Sequence, residues 1–343
     1  FVPLQLLMKV RSDIPLIGLL ILGIIILFWM NLLFGDVRMN TEDVFNLLTG
    51  GTAENSAWSY IVESRLYRSL VAVLAGGALG ISGLILQVFF RNPLAGPGVL
   101  GITSGASLGV AVVILGGLTM GSVLGNVGII LAGIIGAVVV LFLLLFISKY
   151  IRNSVTLLVS GLMFGYFTAA LINVLFLWAN ETDTREYVVW GLGSFEGLSS
   201  TELAIFSSLI IVLSFFCFLL VKPLNALVAG TAYAASLGIN VKSTRLLIIL
   251  ITGILAAIVT VYCGPVGFIG IAVPQLIRVL VKSKNHAVIL PAVFIAGSFL
   301  ALGADFIVRM SSNTLPLNTV TAIVGAPIIV WVIIKMNRIN VSF

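Results

Sequence analysis

Few side chains in this 343-residue chain could do chemistry. Asp305 and Arg309 stand four apart inside an apolar run, and Asp305 is the one carboxylate placed to serve an ion-coupled step at membrane depth. An acid four residues before a base is also the favourable order for pairing on a helix, so a structural pair near the membrane end is the better reading. His286 is the sole histidine and sits at a loop edge, with no His/Cys/carboxylate cluster to hold a metal. Cys217 and Cys263 fall inside apolar runs and read as small apolar residues. No G-x-x-x-x-G-K-[ST] loop is present, so ATP is not bound through a P-loop. Catalysis in this chain is therefore not expected. The unusual chemistry is in the backbone: RNPLAGPGVLG (91–101) packs two prolines and three glycines between two apolar runs, and CGPVGFIGIAVPQLIR (263–278) opens a short run after Gly264, Pro265 and Gly267 and carries Pro274 inside it.

The elements that position these residues follow from composition. The chain is 60% apolar and 9% charged, against about a quarter charged in a soluble domain. Stretches such as 14–34, 66–89 and 123–147 reach the ~20 apolar residues that a spanning helix needs. No period-2 alternation suggests a barrel. The fold class is all-α: a polytopic membrane protein forming one transmembrane domain over 1–343, with ten helices near 14–34, 65–89, 98–117, 123–148, 154–178, 202–221, 244–262, 267–281, 287–310 and 318–335. The eighth is short and broken. A ~15-residue helix covers about 22 Å of a ~30 Å hydrocarbon core, so the irregular backbone before it must face protein or water. The chain begins at Phe1 rather than Met, which leaves room for preceding residues. Its first apolar run is too long for a cleavable signal.

Charge tests this span count. With the N-terminus inside, Lys9, Arg11, Arg91, Lys149, Arg152, Lys222, Lys242, Arg245, Arg278, Lys282, Lys284, Lys335 and Arg338 lie on the inner side, thirteen of eighteen basic residues; Arg38, Arg65, Arg68, Arg185 and Arg309 lie outside. The positive-inside rule then puts both termini in the cytoplasm. Of the twelve acids only Asp13 is clearly inside. The net charge of +6 reflects topology, and nucleic acid is not an expected partner. The longest connections are outer segments 35–64 and 179–201 and an inner loop 222–243. VVWGLGSFEGLSS (188–200) suits a short helix dipping back on the bundle. GTAYAASLGINVKSTR (230–245) suits two short helices turning at Gly238, either a solvated loop or a docking surface for a cytoplasmic partner. RLYRS (65–69) opens the second helix, either anchoring it at headgroups or presenting Arg65 and Arg68 to acids of an outer partner. Gly76, Gly80 and Gly83 share a face suited to close helix packing.

In their order, RLYR, QVFFRNPLAGPGVLGITSGASLG (87–109), ASLGI (235–239), GPVGFIGIAVPQLIR, ADFIVR (304–309) and LPLNTVTAIVGAPIIVWVI (315–333) resemble the permease subunits of type II ABC importers for iron–siderophores, haem and vitamin B12. The resemblance covers nearly the whole chain from about residue 14. It implies the type II ABC importer permease fold, and a subunit paired with a second copy or a sister permease in the cytoplasmic (inner) membrane. Two ATP-binding subunits would sit below, carrying the ATP and Mg that this chain lacks, and a substrate-binding protein would dock above. The cytoplasmic gate then matches Asn92, Leu94, Ser154 and Val155. ATPase docking matches Ala229, Gly230, Ala235, Ser236, Leu237, Gly238, Ile239 and Asn240, and binding-protein docking matches Arg65, Arg68 and Arg309. Gln275 stands where the family commonly has His, and Tyr67 where it has Pro. In the fifth helix, assigned by the family to the path, Thr156, Ser160, Phe164 and Thr168 recur every four residues on one face, either a helix contact or a path lining. The expected function is the permease of an ATP-driven importer of a large metal chelate; a secondary transporter driven by an ion gradient is the alternative.

Overall fold

The computed structural model describes residues 4–51, 56–118, 125–151, 153–312 and 314–339. Arg152, the first residues of the expected fourth span and the side chains of Lys9, Arg11 and Arg338 lie outside the described residues. The chain is helical, with no strand among the described residues. In order the helices are α1 (Leu4–Leu33), α2 (Thr41–Leu48), α3 (Ser56–Phe90), α4 (Ile102–Ile114), α5 (Gly125–Ser148), α6 (Ser154–Phe176), α7 (Glu181–Gly191), α8 (Ser200–Leu219), α9 (Val221–Ala229), α10 (Thr231–Ser236), α11 (Val241–Cys263), α12 (Ile269–Leu280), α13 (His286–Met310) and α14 (Leu317–Ile339), with a 3-10 turn at Pro97–Leu100 before α4.

Seven helices are long and apolar enough to cross a membrane, and α4, α12 and α14 add three shorter apolar ones. Together they occupy the ten expected stretches. Four differences have physical causes. The second span starts at Ser56, so Arg65 and Arg68 lie well inside α3, about two to three turns from its start, rather than opening it. Gly101, at φ +72°, splits the third stretch into the 3-10 turn and a 13-residue helix. The outer helix sits earlier than expected: α7 runs 181–191 because Asn180 caps it, accepting from the Asp183 N–H at 2.8 Å, while 192–199 is not helical. The inner loop 222–243 is largely α9 and α10, with the expected turn at Gly238 (φ +79°). Helix starts elsewhere are also side-chain capped. Ser199 and Glu202 form a capping box on α8, and Asn153, Asn240 and Asn285 accept first-turn amides of α6, α11 and α13, satisfying donors that helix geometry leaves open.

α3 is the central column. Its small residues let neighbouring backbones approach: Gly76 lies on the backbone of Gly297 in α13, Gly80 on Val293, and Gly83 on the Gly270 carbonyl of α12. The small-residue face thus packs as expected. Ser82 donates to the Thr252 carbonyl of α11 (3.2 Å) and Ser298 to that of Val73 (2.7 Å), the polar glue usual between membrane helices. Both cysteines are buried and free. Around this core, α1, α5, α6 and α8 turn large apolar side chains such as Ile25, Phe142, Phe167 and Phe215 outward. So continuous an apolar exterior suits hydrocarbon as its solvent.

Polar contacts sort the ends of the helices into two faces. On one, the buried Asp13 accepts the amides of Lys282 (2.9 Å) and Ser283 (3.0 Å), Arg91 donates to Leu227 O, Asn225 donates to Asn285, and Arg245 donates to the Ser148 and Ile151 carbonyls. On the other, Arg65 meets the end of α1, Arg68 meets Glu196 and Asp305, Ser194 N–H donates to Cys263 O and Asn318 N–H to Leu192 O. This is the grouping that the charge alternation gives. Residues 264–268, the break before α12, are held at the second face: Asn318 Oδ1 accepts the Gly267 amide (3.1 Å), and Phe268, at φ +66°, seats its ring on Gly325.

A side chain at Gly83 has no room. Gly83→Val should lower stability in detergent by about 1–3 kcal/mol, the usual cost of overpacking. Gly18→Ala, where nothing lies within 4 Å of the added carbon, should leave the thermal midpoint unchanged. Equal midpoints for the two variants would contradict the packing described.

Candidate functional site

The turn after α3 is built by its own sequence. α3 ends in a left-handed cap on Arg91 (φ +50°): Arg91 N–H donates to Val88 O (3.3 Å) and Asn92 N–H to Gln87 O (3.2 Å), the paired bonds of a Schellman ending with arginine where glycine is usual. Pro93 removes an amide and disfavours helix at Asn92. Asn92 Oδ1 instead accepts the Leu94 N–H at 2.9 Å, and Asn92 O accepts from Ala95. Asn92 therefore shapes the turn, and Leu94, 49% exposed, projects from it. Ala95, Gly96, Pro97 and Leu100 are buried behind it.

A second chain segment fastens this turn from below. Gln275 of α12 is 2% exposed; its Nε2 donates to Gln87 Oε1 (2.6 Å) and to the Pro93 carbonyl (3.2 Å). Gln87, wholly buried, donates in return to Ile271 O at 3.2 Å. Gln275 Oε1 is buried without a hydrogen-bond partner. Gln275 thus holds the proline turn.

Ser154 and Val155 open α6 on the same face of the bundle. The Val155 amide is capped by Asn153 (2.8 Å) and its side chain is exposed. α6 packs through Gly161 onto Val99 and Leu100, directly after the turn. The four-residue stripe divides along the helix: Thr156 is exposed, Ser160 and Phe164 are half-buried, and Thr168 is buried. The Ser160 and Thr168 hydroxyls donate to the Thr156 and Gly165 carbonyls, each at 2.9 Å. The open face of α6 lies beside the stripe, through Val159, Met163, Tyr166 and Phe167. Spacing of apolar residues along 155–167 could have indicated it.

On that same side, Ala229, Ala235, Ser236, Leu237, Gly238 and Asn240 are exposed, Gly230 and Ile239 half-buried. α10 is seated by the buried Ala234 and leaves Tyr233 and Leu237 outward. Tyr233 adds an aromatic that the motif alone did not single out.

At the opposite face Arg65, Arg68 and Arg309 come together, but as buried groups with internal partners. Arg65 donates to the Leu32, Leu33 and Val37 carbonyls (2.8, 3.3 and 2.6 Å). Asp305, 1% exposed, takes Arg68 Nε on one oxygen (2.7 Å) and Arg309 Nε on the other (3.0 Å). Arg309 also donates to Asn31 O (3.1 Å). The expected Asp305–Arg309 pair is present, with Arg68 as an unforeseen third member. Arg68 Nη1 reaches Glu196 at 2.9 Å, whose side chain is 49% exposed. The three arginines and Glu196 line an open cleft of about 290 Å³ with Asp36, Tyr60 and Ser64. Elsewhere, outside the spanning helices, Tyr187 of α7 meets Phe176 edge to face (5.5 Å between ring centres), and burial pushes its hydroxyl up to about 12. Among the described residues no group of three or more His, Cys, Asp or Glu could hold a metal.

Residues 22–335 match the model of the FecCD transport family. The vitamin B12 import system permease protein BtuC of Klebsiella pneumoniae is 36% identical over 280 residues, covering 80% of this chain and 82% of that protein. Its counterpart from Salmonella newport is 34% identical over 283 residues, 81% and 85% of the two chains. Among solved structures, an inward-facing metal-chelate type ABC transporter superposes with a TM-score of 0.82 at 26% identity, over 94% of this chain and 99% of that one.

The buried cluster makes its members unequal. Asp305→Asn leaves two guanidiniums facing a neutral amide in a dry site and should cost about 3–5 kcal/mol of stability, as breaking a buried pair does. Glu196→Gln, at a half-exposed position, should cost about 0–1 kcal/mol. Thermal unfolding in detergent separates them, and similar losses for both would refute the asymmetry.

Proposed function

The chain belongs to the FecCD transport family, and from that membership we propose that it is the membrane-spanning permease subunit of an ATP-driven importer for a large metal chelate: cobalamin, a ferric siderophore or haem. The observation that carries this reading is the fold match to a metal-chelate type transporter over nearly the full length of both chains. The curated relatives, named as vitamin B12 permeases, support a substrate of this size and kind.

In this reading the face bearing Arg91, Lys222, Lys242, Arg245, Lys282 and Lys284 is cytoplasmic, as the positive-inside rule favours, and the membrane is the cell's inner one. The chain pairs with a second copy or sister permease. Two ATPase subunits dock on residues 229–240, where exposed Tyr233, Leu237 and small neighbours offer an uncharged footing. ATP and Mg act in those subunits, and this chain contributes no catalytic group. Leu94, held on its stiffened turn, and Val155 at the start of α6 narrow the inner mouth, with Asn92 and Ser154 setting their positions. Thr156, Ser160 and Phe164 flank the path, and Thr168 supports α6 from behind. A wall of small, uncharged groups lets a bulky ligand slide without holding it. The substrate-binding protein docks over the outer cleft, with Arg65, Arg68 and Arg309 beneath it as buried anchors whose charge Asp305 and Glu196 largely match. Nucleotide in the partners shifts the pair between its closed states by binding one better than the other.

Reconstituted with an ATPase subunit and binding protein of its own system, the chain should import labelled chelate only with ATP; alone it should move nothing. Uptake by the chain alone under a proton or sodium gradient would favour an ion-coupled transporter instead. Separately, Leu94→Cys should crosslink to its twin in the closed state, and Ser160→Trp should block uptake while leaving assembly intact. Native uptake by the Ser160→Trp variant would remove α6 from the path.

A further inference from the structure

A residue between the two inner elements has an unusual conformation. Arg91 adopts φ +50°, a left-handed backbone that residues with a Cβ rarely hold and that glycine would occupy without strain. Its side chain accounts for its presence there. Nη2 donates to the Leu227 carbonyl at 3.2 Å, a last-turn carbonyl of α9 that also accepts the Gly230 N–H at 3.1 Å, and a cation is favoured at that negative helix end. The next connection makes room for it. A Cβ at Gly230 would stand 3.0 Å from Nη2, and Gly230 itself lies at φ +128° between α9 and α10. The guanidinium therefore sits at the joint of the two inner helices, while its own backbone is the first residue of the turn that carries Leu94. The far side of that turn is tied to α12 by Gln275 on Pro93 O.

We propose that Arg91 is a positioning residue that transmits movement of α9 and α10 to the Asn92–Leu94 turn, so that a shift of the docking helices pulls on the gate through a single hydrogen bond. This rests on the reading of that turn as a gate and of residues 229–240 as the ATPase footing. Observed strain is a sound starting point for such an inference, because a strained residue persists where something else requires it. A merely structural cap makes the opposite forecast, since glycine is the preferred residue at this position.

The test uses the assembled complex with its ATPase and binding protein. Arg91→Gly should fold and assemble at least as well as the native chain and keep basal ATP hydrolysis. ATP-driven uptake should fall by roughly tenfold, the scale on which one residue alters coupling between sites. Nitroxide labels at Leu94 of paired subunits report the turn directly: their separation should change with nucleotide in the native chain and cease to do so in Arg91→Gly. Arg91→Lys, which keeps a donor, should retain part of both responses. Native uptake and native label movement in Arg91→Gly would overturn the proposal and leave the gate reading standing. A Lys variant no better than Gly would overturn the hydrogen bond as the link. Labels that never move in the native chain would overturn the gate reading itself, and the transmission with it.

Discussion

Every polar group of the backbone must find a partner inside this bundle, because hydrocarbon supplies none. Regular helix meets that demand over most of the chain. The two breaks, at 91–101 and 264–268, do not, and at each a side-chain amide takes over: Gln275 serves Pro93 O at the first, and Asn318 serves the Gly267 amide at the second. Removing either would leave a half-buried backbone group without that partner. The breaks are thus cross-braced parts of the core, and the turn that presents Leu94 is as determined as the helices it joins.

Charge obeys the same constraint with a different solution. Asp305 offers one oxygen to each of two arginines, and Arg309 also donates to main-chain carbonyls at Asn31, near the end of α1, and at Arg65, within α3. Arg65, the third, is occupied by carbonyls at 32, 33 and 37. The cluster ties α1, α3 and α13 together at one end, as the glycine contacts tie α3 to α12 and α13 along its length. These helices form a block, against which α6 and the α9–α10 elbow are more lightly held.

Much of this was legible in the sequence. Ten apolar stretches carried the ten apolar helices, the turn at Gly238 was marked by its glycine, and Asp305–Arg309 could be paired because four residues is one helical turn. What escaped depended on chain segments meeting from afar. Arg68 and Asp305 are 237 residues apart, and Gln87 and Gln275 188 apart; no local pattern signals either pair. Gln275 stood out only as a departure from a family pattern, with no hint of what it touches. α2 and α9 escape because each is short and buries few residues, whereas the sequence marks short helices near α7 and α10. α9, for example, buries only Leu224, Ala226 and Leu227. The fifth-helix stripe takes every fourth residue, whereas a helix turns slightly more than a full circle in four. Its end at Thr168 accordingly rotates into the chain's own interior.

The outer charge cluster has a dry half and a wet half. Asp305 and the arginine stems are shielded from mobile ions, whereas Glu196 reaches Arg68 from a half-exposed segment bounded by Gly193 and Gly197, both at positive φ. Dissolved salt screens exposed charges, with a screening length of about 10 Å, and acts much less on buried ones. Ionic strength therefore bears on the half-exposed Arg68–Glu196 arm of the cluster and spares the Asp305 anchor beneath it.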